Sequence, residues 1–168
     1  MLKKLYPKEY HPSALDVDYD KLYDCGIRNI IFDIDNTLVT YDVLTPTKEI
    51  SNLFKRVKDC GFSACILSNN SEKRVGDFCK PLGVRFIHRA GKPGIKGAVK
   101  ALKLLGAEPG NTAIIGDQIF TDTWCGNRLG LYTILVEPVS RERDELITKV
   151  KRGLEAFVVK RYLRSITK

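Results

Sequence analysis

The chain has 168 residues, 43% of them hydrophobic, which is enough apolar material for the core of one ordinary globular domain, residues 1–168. No segment approaches membrane-spanning length and Met1–Pro7 holds no apolar run of leader length. Five scattered cysteines without a C-x-x-C pair, beside only two histidines, argue against a zinc site and for reduced thiols in a cytosolic protein. The net charge of +8 is uneven: from Lys149 to Lys168 seven basic side chains face one acid, Glu155, so an anionic partner is expected for the tail (a membrane surface, a nucleic acid or an acidic protein).

Tyr6 to Asp20 shows turn residues and aromatics but no clear period. The first predicted strand is about Asn29 to Asp33, its Ile30-Ile31-Phe32 run reading as buried on both faces. Pro46-Thr47 opens a helix that Gly61 stops, and Ser63 to Ser68 forms the second strand. Ser71 is placed to cap a helix ending near Pro81-Leu82-Gly83. Arg85 to His88 is a short third strand, and Pro93 stands where a first-turn proline would, opening a helix that runs to Leu105. Thr112 to Ile115 is the fourth strand, Thr123 to Arg128 a short helix, and Tyr132 to Val136 the fifth strand. This alternation predicts an α/β fold: a doubly wound, Rossmann-like, mainly parallel sheet with helices on both faces, core about 27–138. A basic amphipathic helical segment over 141–168 comes next, with Ile147, Val150, Leu154, Phe157, Val158 and Leu163 as its stripe, expected to cover the sheet.

The polar residues that end these strands fall on one edge. Asp33 ends the first strand with Asp35 just beyond it, Ser68 ends the second, Lys92 lies just past the third and Gly116-Asp117 ends the fourth. Ligands bind at that carboxyl edge in open α/β sheets. Two acids one residue apart beside a dry core are costly unless a cation lies between them, and a hard divalent cation with a phosphate beyond it satisfies both. Ser68 alone reads as a turn residue and Lys92 alone as a solvated charge; the ordered set is what points to a site.

In these residues the sequence resembles the haloacid dehalogenase-like (HAD) phosphatases, of the capless subfamily IIIA. The D-x-D-x-T motif reads Asp33-Ile34-Asp35-Asn36-Thr37, the motif Ser or Thr is Ser68, the lysine is Lys92, and G-D-x-x-x-[ST]-D reads Gly116 to Asp122. The closer resemblance is to the YqeG-like branch, small proteins related to phosphatidylglycerophosphate phosphatases. It is carried by Asp33 to Val39, Ser68-Asn69-Asn70 with Arg74-Val75, Pro81-Leu82-Gly83, Gly116-Asp117-Gln118 with Thr121-Asp122, Gly126-Asn127-Arg128 and Thr133 to Val136.

What the resemblance implies is phosphomonoester hydrolysis through an aspartyl-phosphate. Asp33 is then the nucleophile, Asp35 the general acid and base, and Lys92 the neutraliser of developing charge. Thr37, Ser68, Asn69 and Lys92 are the phosphate-binding residues. Mg2+ is held by the carboxylates of Asp33 and Asp117 and the backbone carbonyl of Asp35, with Asp122 behind them. The chain between motifs leaves no room for a cap domain, so the open site suits a phosphate carried on something large. The branch implies phosphatidylglycerophosphate as substrate, at the cytoplasmic membrane surface, with the tail able to lie on an anionic bilayer. The alternatives are a soluble sugar or nucleotide phosphate in a site completed by an oligomer, and an RNA- or ribosome-binding protein with residual hydrolase residues. No stripe of exposed aromatics interleaves with the basic residues, so no specific nucleic acid is expected. Arg74, Arg89, Lys96 and Arg128 are basic residues that this reading leaves unsorted between substrate and solvent.

Overall fold

Six short strands pair side by side to build one parallel sheet. The computed structural model describes residues 2–140 and 146–166. The strands are β1 (Glu9–His11), β2 (Asn29–Phe32), β3 (Ser63–Leu67), β4 (Arg85–Ile87), β5 (Thr112–Gly116) and β6 (Tyr132–Val136), in the spatial order β1-β6-β5-β2-β3-β4. Every pairing is parallel. The chain winds outward from β2 through β3 to β4, then returns to lay β5 against the other side of β2. The order reverses there, which opens a crevice beyond the carboxyl ends of β2 and β5.

The helices are α1 (Tyr19–Asp24), α2 (Lys48–Asp59), α3 (Glu72–Cys79), α4 (Lys96–Leu105), α5 (Trp124–Leu129) and α6 (Leu146–Ile166). Strand periodicity divides the core between two faces. Ile30, Phe32, Ile66, Ala113 and Ile115 join the side chains of α1, α2 and α3. Ile31, Cys65, Leu67 and Ile114 join those of α4 and α5. A sheet covered on both sides needs strands apolar at every position, and β2 and β5 are buried throughout. The cysteines are all unpaired, and Cys65, Cys79 and Cys125 are buried.

Local chemistry sets most boundaries where the sequence places them. The Thr47 and Ser71 hydroxyls accept from Ile50 and Arg74 backbone N–H groups and start α2 and α3. Gly106 ends α4 in the left-handed region at φ 66°. Three expectations need correction. Tyr6 to Asp20 contains an edge strand, β1, which a three-residue run without alternation does not announce. Helix α4 begins at Lys96, because Pro93 belongs to the turn closed by Gly94 N–H on Gly91 C=O at 2.7 Å. The stripe expected on the C-terminal segment does not pack as one face. Glu155, Val158 and Tyr162 face inward, while Leu154, Phe157 and Leu163 are exposed. Val158 packs against Ile119 and Leu135. The Tyr162 hydroxyl donates to Lys8 C=O, and its ring meets Tyr6 edge-on at 5.7 Å. The N-terminal part of the expected segment, residues 141–145, lies outside the described residues.

Candidate active site

Strand β2 hands the chain to a tight loop. Asp33 still pairs with the sheet, its N–H donating to Ile115 C=O, and then Thr37, Leu38 and Val39 N–H groups all point at Ile34 C=O. Asn36 takes the left-handed conformation this turn demands, at φ 64°, which asparagine tolerates better than most residues. Its side-chain amide is fully buried and grips Ser140 twice: Nδ2 donates to Ser140 C=O at 2.7 Å, and Oδ1 accepts Ser140 N–H at 2.9 Å.

Lys92 ties the acidic side chains of the carboxyl edge together. Its Nζ donates to Asp33 Oδ1 at 2.8 Å and to Asp122 Oδ1 at 2.6 Å. Asn69 fixes the lysine's backbone from both sides, accepting its N–H at 2.8 Å and donating to its C=O at 3.1 Å. Asp33, Asp117 and Asp122 each offer an oxygen, and these lie within 4.8 Å of one another, all three residues buried. Three carboxylates against one ammonium leave a negative excess in a place with little water. An all-oxygen donor set of that charge fits a hard divalent cation.

The electrostatics carry the same imbalance. Burial is the largest effect on Asp33; Lys92 opposes it, Asp122 and Asp117 add to it, and the carboxyl is pushed up to about 8. Burial works to lower Lys92, but Asp122 and Asp33 outweigh it and hold the ammonium above its ordinary range. The lysine is therefore cationic throughout the neutral range, and burial with two neighbouring carboxylates makes a second positive charge beside Asp33 favourable.

The supports are equally specific. Asp122 Oδ2 accepts Gln118 N–H at 3.3 Å and the Thr121 hydroxyl at 3.0 Å. A π-helical turn, Ile119–Thr123, brings Asp122 back under the sheet edge. A Cβ on Gly116 would lie 2.2 Å from Asp122 Cγ, so only glycine lets this carboxylate reach Lys92.

Asp33, Asp35, Ser68, Asn69 and Lys92 line an open pocket of about 420 Å³ with Tyr41, Asn70, Pro93, Gln118 and Thr121. Asp117 and Asp122 lie beside its floor. Thr37 is not in this lining: its hydroxyl donates to Asp117 Oδ1 at 3.0 Å. The Asp35 carboxylate stands apart from the acidic cluster. Its Oδ1 receives Arg74 Nη2 at 3.0 Å and its Oδ2 receives Asn70 Nδ2 at 3.2 Å. Arg74 is buried too and also donates from Nη1 to Leu44 C=O at 3.2 Å. Arg74 and Asn70 are the residues that sequence reasoning left without a role. Ser71 caps α3 through the Arg74 N–H, and the helix so started carries the Arg74 side chain to Asp35, a contact that the sequence does not announce. Of the other basic residues, Arg128 donates to Pro93 C=O at 3.0 Å and lies over the Trp124 ring, whereas Arg89 and Lys96 are exposed.

Comparison with known proteins gives the chain a family and a fold. Residues 89–161 match the HAD-hydrolase-like family model. A Bacillus subtilis (strain 168) protein named "Probable phosphatase YqeG" is 38% identical over 160 residues, covering 95% of this chain and 92% of its own. The chain belongs to the YqeG family of HAD-like phosphatases. This HAD-like phosphatase is also 30% identical to the chloroplastic/mitochondrial phosphatidylglycerophosphate phosphatase 1 of Arabidopsis thaliana, across 92% of the chain but only 48% of that relative. The phosphatase thus spans about half the length of the Arabidopsis protein. Among solved structures, an uncharacterized Listeria monocytogenes protein shares the fold at a TM-score of 0.58 and 18% identity, covering 80% of this chain and 99% of its own. A cobalt-bound deoxy-D-mannose-octulosonate 8-phosphate phosphatase from Haemophilus influenzae shares it at 0.55 and 18% identity, covering 68% and 69%. Like the expected capless members, the phosphatase places only the β2 loop and α2 between β2 and β3, and α3 between β3 and β4.

Proposed function

We propose that this phosphatase removes the terminal phosphate of phosphatidylglycerophosphate at the cytoplasmic surface of a membrane, through an aspartyl-phosphate on Asp33. The observation that carries the chemistry is Lys92 Nζ bridging Asp33 and Asp122 at the switch point of the sheet, with Asp117 alongside. Asp33 Oδ attacks phosphorus, and the bond from phosphorus to the ester oxygen breaks. Asp35 gives its proton to the departing oxygen, then takes one from the water that cleaves the Asp33–phosphorus bond and releases inorganic phosphate. Lys92 holds a phosphoryl oxygen and the nucleophile together, with Ser68 and Asn69 at the pocket wall. Mg2+ would be held by Asp33 and Asp117 with the Asp35 carbonyl, and would supply positive charge against the phosphate oxygens. Thr37 acts by orienting Asp117, and Asp122 by orienting Lys92.

The lipid substrate is supported by the plant relative's name, by the uncapped pocket and by the cationic outer face of α6. Residues 1–168 act as one domain, since α6 is bonded to the core at Phe120 and Lys8. The five unpaired cysteines suit a reducing compartment. The test is phosphate release from phosphatidylglycerophosphate in detergent micelles with and without Mg2+, beside a panel of sugar and nucleotide phosphates. Mg-dependent release is expected, with Asp33→Asn slower by at least about a thousandfold. A lipid left intact while soluble esters are cleaved briskly would reverse the substrate assignment, and a fully active Asp33→Asn would reverse the mechanism.

A further inference from the structure

Arg74 ties three parts of the chain together. It stands in the first turn of α3. Its Nη2 donates to Asp35 Oδ1 at 3.0 Å, on the loop after β2, and its Nη1 donates to Leu44 C=O at 3.2 Å, farther along the same connection. The guanidinium also lies over the Phe78 ring, 5.5 Å from its centroid. The ion pair is nearly sealed, with 8% of the Arg74 side chain and 9% of the Asp35 side chain exposed. Stability alone does not ask for such a pair, because apolar side chains of the same volume join elements as well or better. The pair therefore marks Asp35 as a carboxyl group that has to be placed, not merely accommodated.

The two Asp35 oxygens have different surroundings. Asp35 and Asn70 line the phosphate pocket and Arg74 does not, so the arginine grips the carboxyl group from behind. Asn70 is fixed in turn: its Oδ1 accepts Ser71 N–H at 2.7 Å, which turns its Nδ2 toward Asp35 Oδ2 at 3.2 Å. A guanidinium only donates, so the oxygen bonded to it serves as an acceptor. A carboxylic acid in this place therefore meets Arg74 with Oδ1 as its carbonyl and carries its proton on Oδ2, beside an amide of the pocket wall.

We propose that Arg74 is a positioning residue for proton transfer: by holding Oδ1 it assigns the mobile proton to Asp35 Oδ2 and turns that oxygen toward the ester. The proposal rests on the reading of Asp35 as general acid and base. In the first step the proton on Oδ2 passes to the departing ester oxygen as its bond to phosphorus breaks. In the second, Oδ2 takes a proton from the water that attacks the phosphorus held on Asp33. Arg74 acts through Asp35 and stays out of the pocket throughout.

The test compares kcat/KM for two esters, with Mg2+, in the full chain carrying Arg74→Lys, Arg74→Met, Asp35→Asn or no change. One ester is an alkyl phosphate: phosphatidylglycerophosphate in micelles or, should that lipid be left intact, whichever sugar phosphate is cleaved. The other is p-nitrophenyl phosphate, whose leaving group departs as a stable anion and needs little from an acid. The alkyl-to-aryl ratio on one preparation cancels the fraction of enzyme that is folded, so a destabilised variant still answers. Arg74→Met is expected to lower that ratio at least about tenfold, with Arg74→Lys in between, because an ammonium keeps the charge but not both partners. Arg74→Met combined with Asp35→Asn should lower it no further than Asp35→Asn alone. A ratio unchanged in Arg74→Met but lowered in Asp35→Asn would overturn the role of Arg74 and leave the mechanism standing, as would independent losses in the double variant. A ratio unchanged in Asp35→Asn, or an enzyme that cleaves no alkyl ester, would overturn the assignment of the acid and the role of Arg74 with it.

Discussion

Asp33 holds a proton for a reason that a cation removes. Its carboxyl is raised to about 8 by burial and by Asp122 and Asp117 against the pull of Lys92, so near neutrality the metal-free site is largely protonated there. On the proposed reading a metal ion would displace that proton, and raising the pH would do part of the work in advance. Mg2+ affinity is therefore expected to strengthen by roughly tenfold per pH unit up to about 8 and then to level off. Calorimetry in two buffers of different ionisation enthalpy should register release of about one proton near pH 7. Affinity and proton count that do not change with pH would contradict this account. Asp33, Asp35, Lys92, Asp117 and Asp122 were legible because each follows a strand closely, and one sheet edge gathers whatever ends its strands. Arg74 was not, because its bond to Asp35 depends on how far α3 leans back over the β2 loop. Thr37 was expected at the phosphate, but it lies outside the pocket lining and its hydroxyl meets Asp117, a contact that motif spacing does not reveal.

Among the elements, the join between β5 and the π-helical turn has the least freedom. Gly116→Ala would put a methyl 2.2 Å from Asp122 Cγ, and the carboxylate would have to leave Lys92. Such a shift of a reacting constellation costs about a hundredfold in kcat, and overpacking about 1–3 kcal/mol in stability. Steady-state kinetics and thermal melts on the one variant read both effects, and wild-type behaviour in the two would show that the turn is more pliant than its geometry. The buried strands β2, β3, β5 and β6 and the caps at Thr47, Ser71 and Gly106 were readable, because apolar runs and capping residues act locally. Strand β1 was hidden by its length: three half-buried residues become a strand only when β6 is there to pair with them. The start of α4 was misplaced because a proline suits a turn as well as a helix start, and the need to hold Lys92 decided for the turn.

At the scale of the whole molecule, the proposed metal site predicts a folded chain that is more stable with metal than without it. A ligand that binds only the folded state adds about 2.7 kcal/mol at a hundred times its dissociation constant. For a chain of this size that corresponds to a rise of about 5–10 °C in Tm on adding Mg2+ to chelator-treated protein. A melt indifferent to Mg2+ would mean that Asp33, Asp117 and Asp122 do not hold it. The doubly wound sheet was legible from the alternation of strands and helices. The seating of α6 was not, because its apolar residues outnumber those the core accepts, and only packing chose Val158 and Tyr162. The two-handed hold of Asn36 on Ser140 carries a last implication. Asn36 is a neighbour of Asp35, the proposed acid, and is sealed from water, so a chain trimmed ahead of Ser140 would orphan a buried amide beside it. Shortening the tail that far would therefore disturb the Asp33–Asp35 loop as well as strip α6 from the core, although every residue proposed for catalysis would still be present.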